Sequence, residues 1–321
     1  MNKLYDINLF GLVLQYLDIN EIMSLIKKDD SNSILNFVLQ NKWCISNLNK
    51  YTYHSIEKGF TNVYKLDISW SKFSEIPNTL INLRELTCGY TNILEIPNTL
   101  INLRVLNFSG TEILKIPDTL INLIELNCPW SKISEIPNTL INLRKLICFN
   151  KEISEIPNTL VNLRKLDCSY TNISEIPNSL INLRELTCGY TKILEIPNTL
   201  INLRKLDCSD TKILKIPNKL INLRELNCWN TNISEIPNSL INLRELTCGY
   251  TKILEIPNTL INLRVLNCSG TKISEIPNTL INLRKLYCWN TKILEIPNTL
   301  INLEYKYYTR FKIWRIRNKR N

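Results

Sequence analysis

INLRELTCGYTKILEIPNTL, residues 181–200, recurs without a change at 241–260. Relatives of this stretch follow every 20 residues: Leu66, Leu86, Leu106 and their equivalents up to Leu286 mark twelve copies in one register, with no insertion between them. A fixed period of this size means that one unit cannot bury its own apolar side and must stack on its neighbours, which makes a solenoid. The repeats therefore predict one elongated domain over residues 61–303, not a pair of globular ones.

Within a unit the apolar positions are Leu183, Leu186, Cys188, Ile193, Ile196 and Leu200, with Pro197 after the second Ile. Leu186 and Cys188 alternate with Glu185 and Thr187, so the first pair faces inward from a short strand and the second pair faces out. Equivalent strands then stack as a parallel sheet. Pro197 has a fixed φ and no N–H, which suits an extended or turning return across the back, and 20 residues leave little room for helix there.

The pattern LxxLxLxxNxL of the leucine-rich repeat is met by Leu183, Leu186, Cys188, Thr191 and Ile193, and the array resembles that family over about three quarters of the chain. Its 20-residue length and Ile-Pro pair resemble the short repeats of bacterial leucine-rich effector proteins, and the Asn/Ile-rich copies are similar to arrays in giant DNA viruses of amoebae. The resemblance implies an α/β repeat fold, a solenoid with its parallel β-sheet on the concave face and little helix on the convex side, acting as a non-catalytic binding module. The family's usual Asn is here Thr91, Thr111, Thr191 or Thr291, Ser71 or Ser131, and once Lys151. A hydroxyl reaches turn amides less far than an Asn side chain, so a weaker ladder is expected at this position.

Comparison among the repeats separates frame from surface. Ile93, Ile96, Pro97, Leu100, Leu103 and Leu106 recur almost unchanged, whereas the outward strand positions vary: Glu85, Val105, Glu125, Lys145 and Lys165 in one column, Thr87, Asn107, Asn127, Ile147 and Asp167 in the other. Two further variable columns carry large rings, Phe149, Trp229 and Trp289 in the first and Tyr90, Trp130, Tyr170, Tyr190 and Tyr250 in the second. Aromatic side chains at the edge of a face are candidate binding hot spots, and covering the strand ends is the alternative use of the same rings.

Ten of the eleven cysteines, Cys88 to Cys288, share one inward position that Ile68 and Phe108 fill in two repeats; Cys44 lies outside the array. A position that accepts a phenyl ring needs volume, so the thiols are expected to pack as small hydrophobes. With no CxxC spacing and a single histidine, His54, neither a metal site nor any other cofactor is expected. A second column, Arg84 to Arg284 interrupted by Ile124, stacks like charges about 4.8 Å apart. Neighbouring carboxylates, Glu85, Glu185, Glu225 and Glu245 or Glu95, Glu135, Glu155 and Glu175, are expected to screen it. Otherwise the column is a basic stripe for an acidic peptide or nucleic acid.

Residues 1–60 do not repeat, and Phe10, Val13, Leu14 and Leu17 give the spacing of a helical face. Asp18 with Glu21 makes a capping-box-like start for a second helix, and Ile34, Leu35, Val38 and Leu39 mark a third. The run VLQYLDINEIMSL resembles the F-box, whose helices dock on the adaptor subunit of cullin ubiquitin ligases. That resemblance implies an adaptor-binding surface of Val13, Leu14, Tyr16, Leu17 and Ile22. Tyr5 and Asp6 stand where the motif has Leu-Pro, and a small helical cap over the first repeat is the other reading. Residues 304–321 carry seven basic side chains against Glu304 alone, alternating with aromatics such as Tyr305, Phe311 and Trp314, which fits a C-terminal cap or a basic tail.

The whole chain, 321 residues, carries a net charge of +10 with 44% hydrophobic residues, too apolar for disorder. No apolar run nears the ~20 residues of a membrane span and no small-residue cleavage site follows the apolar start, so an intracellular, cytoplasmic setting is expected, with the basic tail admitting a nuclear one. The expectation is a non-enzymatic protein-binding solenoid. Its partner surface comprises Glu85, Thr87, Tyr90, Trp130, Lys145, Lys165, Asp167, Tyr170, Tyr190, Trp229, Tyr250 and Trp289, and nucleic acid ranks below protein as the ligand.

Overall fold

The computed structural model describes Trp43–Ile45 and residues 63–308, in two compact units, residues 1–132 and 133–321. In the first, β1 (Trp43–Ile45), β2 (Val63–Asp67), β3 (Glu85–Thr87), β4 (Val105–Asn107) and β5 (Glu125–Asn127) pair in chain order, all parallel. The sheet thus begins with a strand ahead of the first repeat, joined to β2 with a register slip between Trp43 and Cys44. The expected N-terminal helices, and with them Val13, Leu14, Tyr16, Leu17 and Ile22, lie outside the described residues.

The second unit repeats the arrangement. Its strands are β6 (Lys145–Ile147), β7 (Lys165–Asp167), β8 (Glu185–Thr187), β9 (Lys205–Asp207), β10 (Glu225–Asn227), β11 (Glu245–Thr247), β12 (Val265–Asn267), β13 (Lys285–Cys288) and β14 (Tyr305–Tyr308). Each pairs in parallel with the next at an offset of 20 residues, so that Leu186 faces Leu166 and Leu206. The strand of Tyr305–Tyr308 continues this register past the last repeat.

The alternation read from the sequence is the one observed. In β8 only the central Leu186 is buried and its neighbours are half-buried, while Leu183, Leu186, Cys188, Ile193 and Leu200 are all fully shielded from solvent. Each such aliphatic side chain contributes roughly 1.5–3 kcal/mol of burial. The same columns recur in every repeat, so each turn's core is completed by the turns on either side.

The described residues contain no helix, where little helix was expected. Two linked β-turns replace it: in the repeat after β3 the amide of Leu100 donates to the Pro97 carbonyl (3.3 Å) and that of Leu103 to the Leu100 carbonyl (3.0 Å). Proline at the start of the first turn cannot extend a helical hydrogen-bond run, and only seven residues lie between Ile96 and the next strand's approach at Arg104.

The hydroxyl column behaves differently from the expectation. Thr91 Oγ1 donates to the carbonyl of Cys88 at 2.7 Å, and Thr191 and Ser131 do the same to Cys188 and Cys128. Each hydroxyl therefore clasps its own turn and builds no ladder between repeats. The ladder lies on the other side, where Asn202 Nδ2 donates to the carbonyl of Ile181 (3.0 Å) and Asn222 to that of Ile201 (2.9 Å), one repeat back. Thr199 Oγ1 adds a parallel rung to Asn178. In the one repeat with lysine at the hydroxyl position, Asn150 takes over: it is buried, its Nδ2 donates to Ile133 and its Oδ1 accepts from the amide of Glu152.

Candidate functional site

The turn that follows each strand sets the aromatic edge. Among the described residues nine non-glycine side chains have φ between 51° and 60°, namely Trp70, Tyr90, Trp130, Tyr170, Tyr190, Asp210, Asn230, Tyr250 and Asn290, one per turn at the same position. Left-handed backbone suits Gly, Asn and Asp and costs about 1–2 kcal/mol for other residues. Six of the nine are Trp or Tyr, so the column combines an unfavourable backbone with large exposed rings.

The rings are ordered against one another. In the first unit Trp70, 76% exposed, stacks on Tyr90 with centroids 4.0 Å apart. Trp70 was missing from the sequence-predicted site, although it occupies the same column as Tyr90. Gly110, at φ 64°, leaves room for the Tyr90 ring, which lies where a Cβ would stand. In the second unit Tyr170 and Tyr190 stack at 4.4 Å, and Trp229 meets Tyr250 edge-on at 4.7 Å. Hydrogen bonding with Asp210, and then the charge of that carboxylate, push the Tyr190 phenol's pKa up, and Asn230 Nδ2 donates to the same carboxylate at 2.6 Å. Trp289 is exposed, whereas Trp229 is half-buried.

On the outer sheet face the predicted residues divide into two kinds. The first column forms ion pairs across strands: Lys65 with Glu85 in the first unit, Lys165 with Glu185 and Lys205 with Glu225 in the second, at 2.8–2.9 Å. Lys145 lies in this column, half-buried. The second column holds the turns. Asp167 Oδ1 accepts from both the amide and the hydroxyl of Ser169, and Asp207 does so from Ser209. Burial is the main cause that raises the Asp167 pKa, with the repulsion of Asp207 adding to it and Ser169 and Lys165 opposing. Thr87, at the same position in β3, is half-buried.

The arginines are not screened as the sequence suggested. Glu85, Glu185 and Glu225 pair with lysines, and among the described residues no ion pair joins a carboxylate to any arginine from Arg84 to Arg284. Arg84 instead lies over the Tyr64 ring, 5.5 Å from its centroid. The strand lysines compete successfully because they stand directly opposite the glutamates in register, as Lys165 does opposite Glu185.

Cys88 to Cys288 are free thiols and all are buried, as expected for packing groups. Desolvation pushes the Cys88 and Cys268 thiols up to about 12, and it also raises Cys128, Cys168, Cys188, Cys208, Cys228 and Cys248. Such thiols are protonated and unreactive at neutral pH. Among the described residues no cluster of His, Cys, Asp and Glu is arranged to hold a metal ion, and no helix is long and apolar enough to cross a membrane.

The Leucine Rich Repeat family profile matches residues 162–183, 222–243 and 262–283, so those three segments are leucine-rich repeats. No curated protein matches the sequence. Among solved structures, a leucine-rich-repeat protein of Leptospira interrogans superposes with a TM-score of 0.72 at 20% identity, over 87% of this chain and 80% of that one. The functional domain of InlJ from Listeria monocytogenes, described as including a cysteine ladder, gives 0.71 at 24% identity, over 83% of this chain and 67% of that one. The ectodomain of the Arabidopsis thaliana receptor kinase GASSHO1/SCHENGEN3, in complex with Casparian strip integrity factor 2, gives 0.63 at 20% identity over 84% of this chain and 38% of that one. At these identities the likeness is one of fold.

Proposed function

We propose that this chain of leucine-rich repeats is a non-catalytic protein that binds a protein partner, with the principal contact on the second unit. There Tyr170, Tyr190, Tyr250 and Trp289 present exposed rings at or just before the turns that follow the strands, and Lys165 adds charge on the outer strand face. The observation that carries the reading is the aromatic column itself: Tyr170, Tyr190 and Tyr250 occupy left-handed backbone, at φ 56°, 56° and 54°, where folding alone favours Gly or Asn. Strain kept at an exposed position points to a use beyond folding. Tyr and Trp are also the residues that dominate protein interfaces. Support comes from the receptor ectodomain named above, whose similar solenoid holds a ligand. In the first unit Glu85, Thr87, Tyr90 and Trp130 form a second, smaller patch of the same kind.

The finer reading is a ubiquitin-ligase substrate adaptor, in which the F-box-like Val13, Leu14, Tyr16, Leu17 and Ile22 engage a cullin-ligase adaptor subunit while the repeats hold substrate. It sets the protein inside the cell, in the cytoplasm, where ten unbridged thiols are stable as packing groups. Affinity capture from cell lysate with three full-length proteins tests both levels: wild type, Tyr170→Ala/Tyr190→Ala/Tyr250→Ala, and Leu14→Asp/Leu17→Asp. Substrate proteins lost only from the aromatic variant, with unchanged melting, support the binding face. Adaptor subunits lost only from the Leu14/Leu17 variant support the ligase role; capture equal in all three overturns both.

A further inference from the structure

The proposed partner face leaves unused a groove in the second unit. Five arginines at every twentieth residue from Arg204 to Arg284 alternate along it with five asparagines from Asn222 to Asn302. Both columns are fixed by the backbone. The amide of Arg224 donates to the Arg204 carbonyl at 2.8 Å, and the equivalent bond recurs at Arg244, Arg264 and Arg284, so the guanidinium groups are rooted at the sheet spacing of about 4.8 Å. Each asparagine, Asn242 or Asn262 for example, donates one amide proton to the isoleucine carbonyl one repeat back at 2.9 Å. That leaves each side-chain amide a second proton and an oxygen to offer.

Five exposed like charges in a row carry no ion pair among the described residues, so the column is open to an external anion. The lining decides which anion. It contains no apolar or aromatic side chain; the exposed isoleucines Ile221 to Ile301 precede the asparagines in sequence and stay outside it. A protein partner needs an apolar interface core, which this groove does not supply. A phosphodiester backbone needs none: it is bound by guanidinium, amide and counterion release. Arginine is also the side chain whose planar fork matches phosphate oxygens.

We propose that the Arg204–Arg284 groove binds nucleic acid through its phosphodiester backbone, without reading sequence. This goes beyond the protein-binding face, and takes up one of the two anionic ligands, acidic peptide or nucleic acid, that the sequence left open for the basic column. Along four sheet spacings, about 19 Å, a duplex strand presents about five to six phosphates, enough for one to each arginine.

The test is fluorescence anisotropy of a labelled 20-base-pair DNA duplex against the full-length protein from low to moderate salt. Replacing the five groove arginines by Gln is expected to flatten the log–log salt slope by about 4.5, the equivalent of one phosphate contact at ~0.9 for each arginine. The comparison protein carries Gln at Lys192, Lys212, Lys252, Lys272 and Lys292, exposed lysines outside the groove. It loses the same net charge and should keep the wild-type slope. If the fivefold variant fails to fold, Arg224→Gln/Arg264→Gln reads the same difference at about 1.8. Equal slopes in the two charge-matched variants would show only diffuse attraction to a chain of net charge +10, and overturn the site. Equal or tighter binding of polyglutamate at the same charge concentration would assign the groove to an acidic protein instead.

Discussion

Tyr170 and Tyr190 lie face to face, with ring centroids 4.4 Å apart and planes within 10°, although each is held at φ 56°. The stack offers about 0.5–1.5 kcal/mol against a backbone penalty of about 1–2 kcal/mol for each ring, so the pair does not offset its own strain.

It follows that Tyr190→Asn should leave the melting temperature within a few degrees of wild type or raise it, because Asn accepts the left-handed turn and can still reach Asp210. Partner affinity should fall by at least ~1 kcal/mol, the usual threshold for a contributing interface residue. Thermal melts and captured-partner titrations on the same sample separate the two effects. A loss of stability with intact binding would make the column a structural cover.

The buried thiols give a pH dependence of defined sign. Folding raises Cys88 and Cys268 from 9.0 to about 12, so above pH 9 the unfolded chain holds fewer protons than the folded one. Stability is then full below about pH 9 and declines as pH rises from 9 towards 12. Chemical denaturation at pH 7, 9, 10 and 11 should show a progressive loss that shrinks when Cys88 and Cys268 are replaced by Val. At pH 8 a thiol reagent should label Cys88 to Cys288 only on unfolding.

Size, not sulfur chemistry, should govern the same column. Cys188→Ile is expected to cost under ~1.5 kcal/mol, as Ile68 and Phe108 occupy equivalent places at 3% and 0% exposure. Cys188→Ser is expected to cost about 1–3 kcal/mol, since it buries a hydroxyl in an apolar column where the equivalent Cys168 and Cys208 thiols reach a backbone carbonyl only at 3.6 and 3.5 Å. Urea melts of the two variants decide it.

At pH 7 Asp167→Asn should stabilise the fold. Asn keeps an oxygen for the Ser169 amide, while removing a carboxylate that burial and the Asp207 charge disfavour. Because the folded pKa is raised, the charged form is the penalised one. The advantage of Asn should disappear as pH falls below the carboxylate range and both residues become neutral. Paired melts at pH 7 and pH 3 measure the difference.

The period of 20, the inward Leu186 and Cys188 and the return at Pro197 were legible because each is a burial decision repeated many times, and repetition exposes it. The hydrogen-bond ladder was placed on the wrong side. Thr191 stands where an asparagine was expected, but a hydroxyl reaches only its own Cys188 carbonyl, and the inter-repeat bonds fall to Asn202. Asparagine recurring in every INL triplet was the available signal. The left-handed turn was also readable: Gly110, Asp210, Asn230, Gly270 and Asn290 share the column of Tyr190. Pairing of the arginines could not be read from neighbours in sequence, since Glu185 chooses Lys165 across the sheet.

Residues 181–200 and 241–260 are identical, yet their surroundings are not. Tyr190 lies on Tyr170 beside Asp210; Tyr250 meets Trp229, and its ring crowds Gly270. Gly189 abuts Ser209, whereas Gly249 lies under the Trp229 indole. A copied repeat is therefore not a copied epitope: what a ligand meets is composed by two adjacent turns, and shuffling unchanged repeats into a new order is enough to write a new surface.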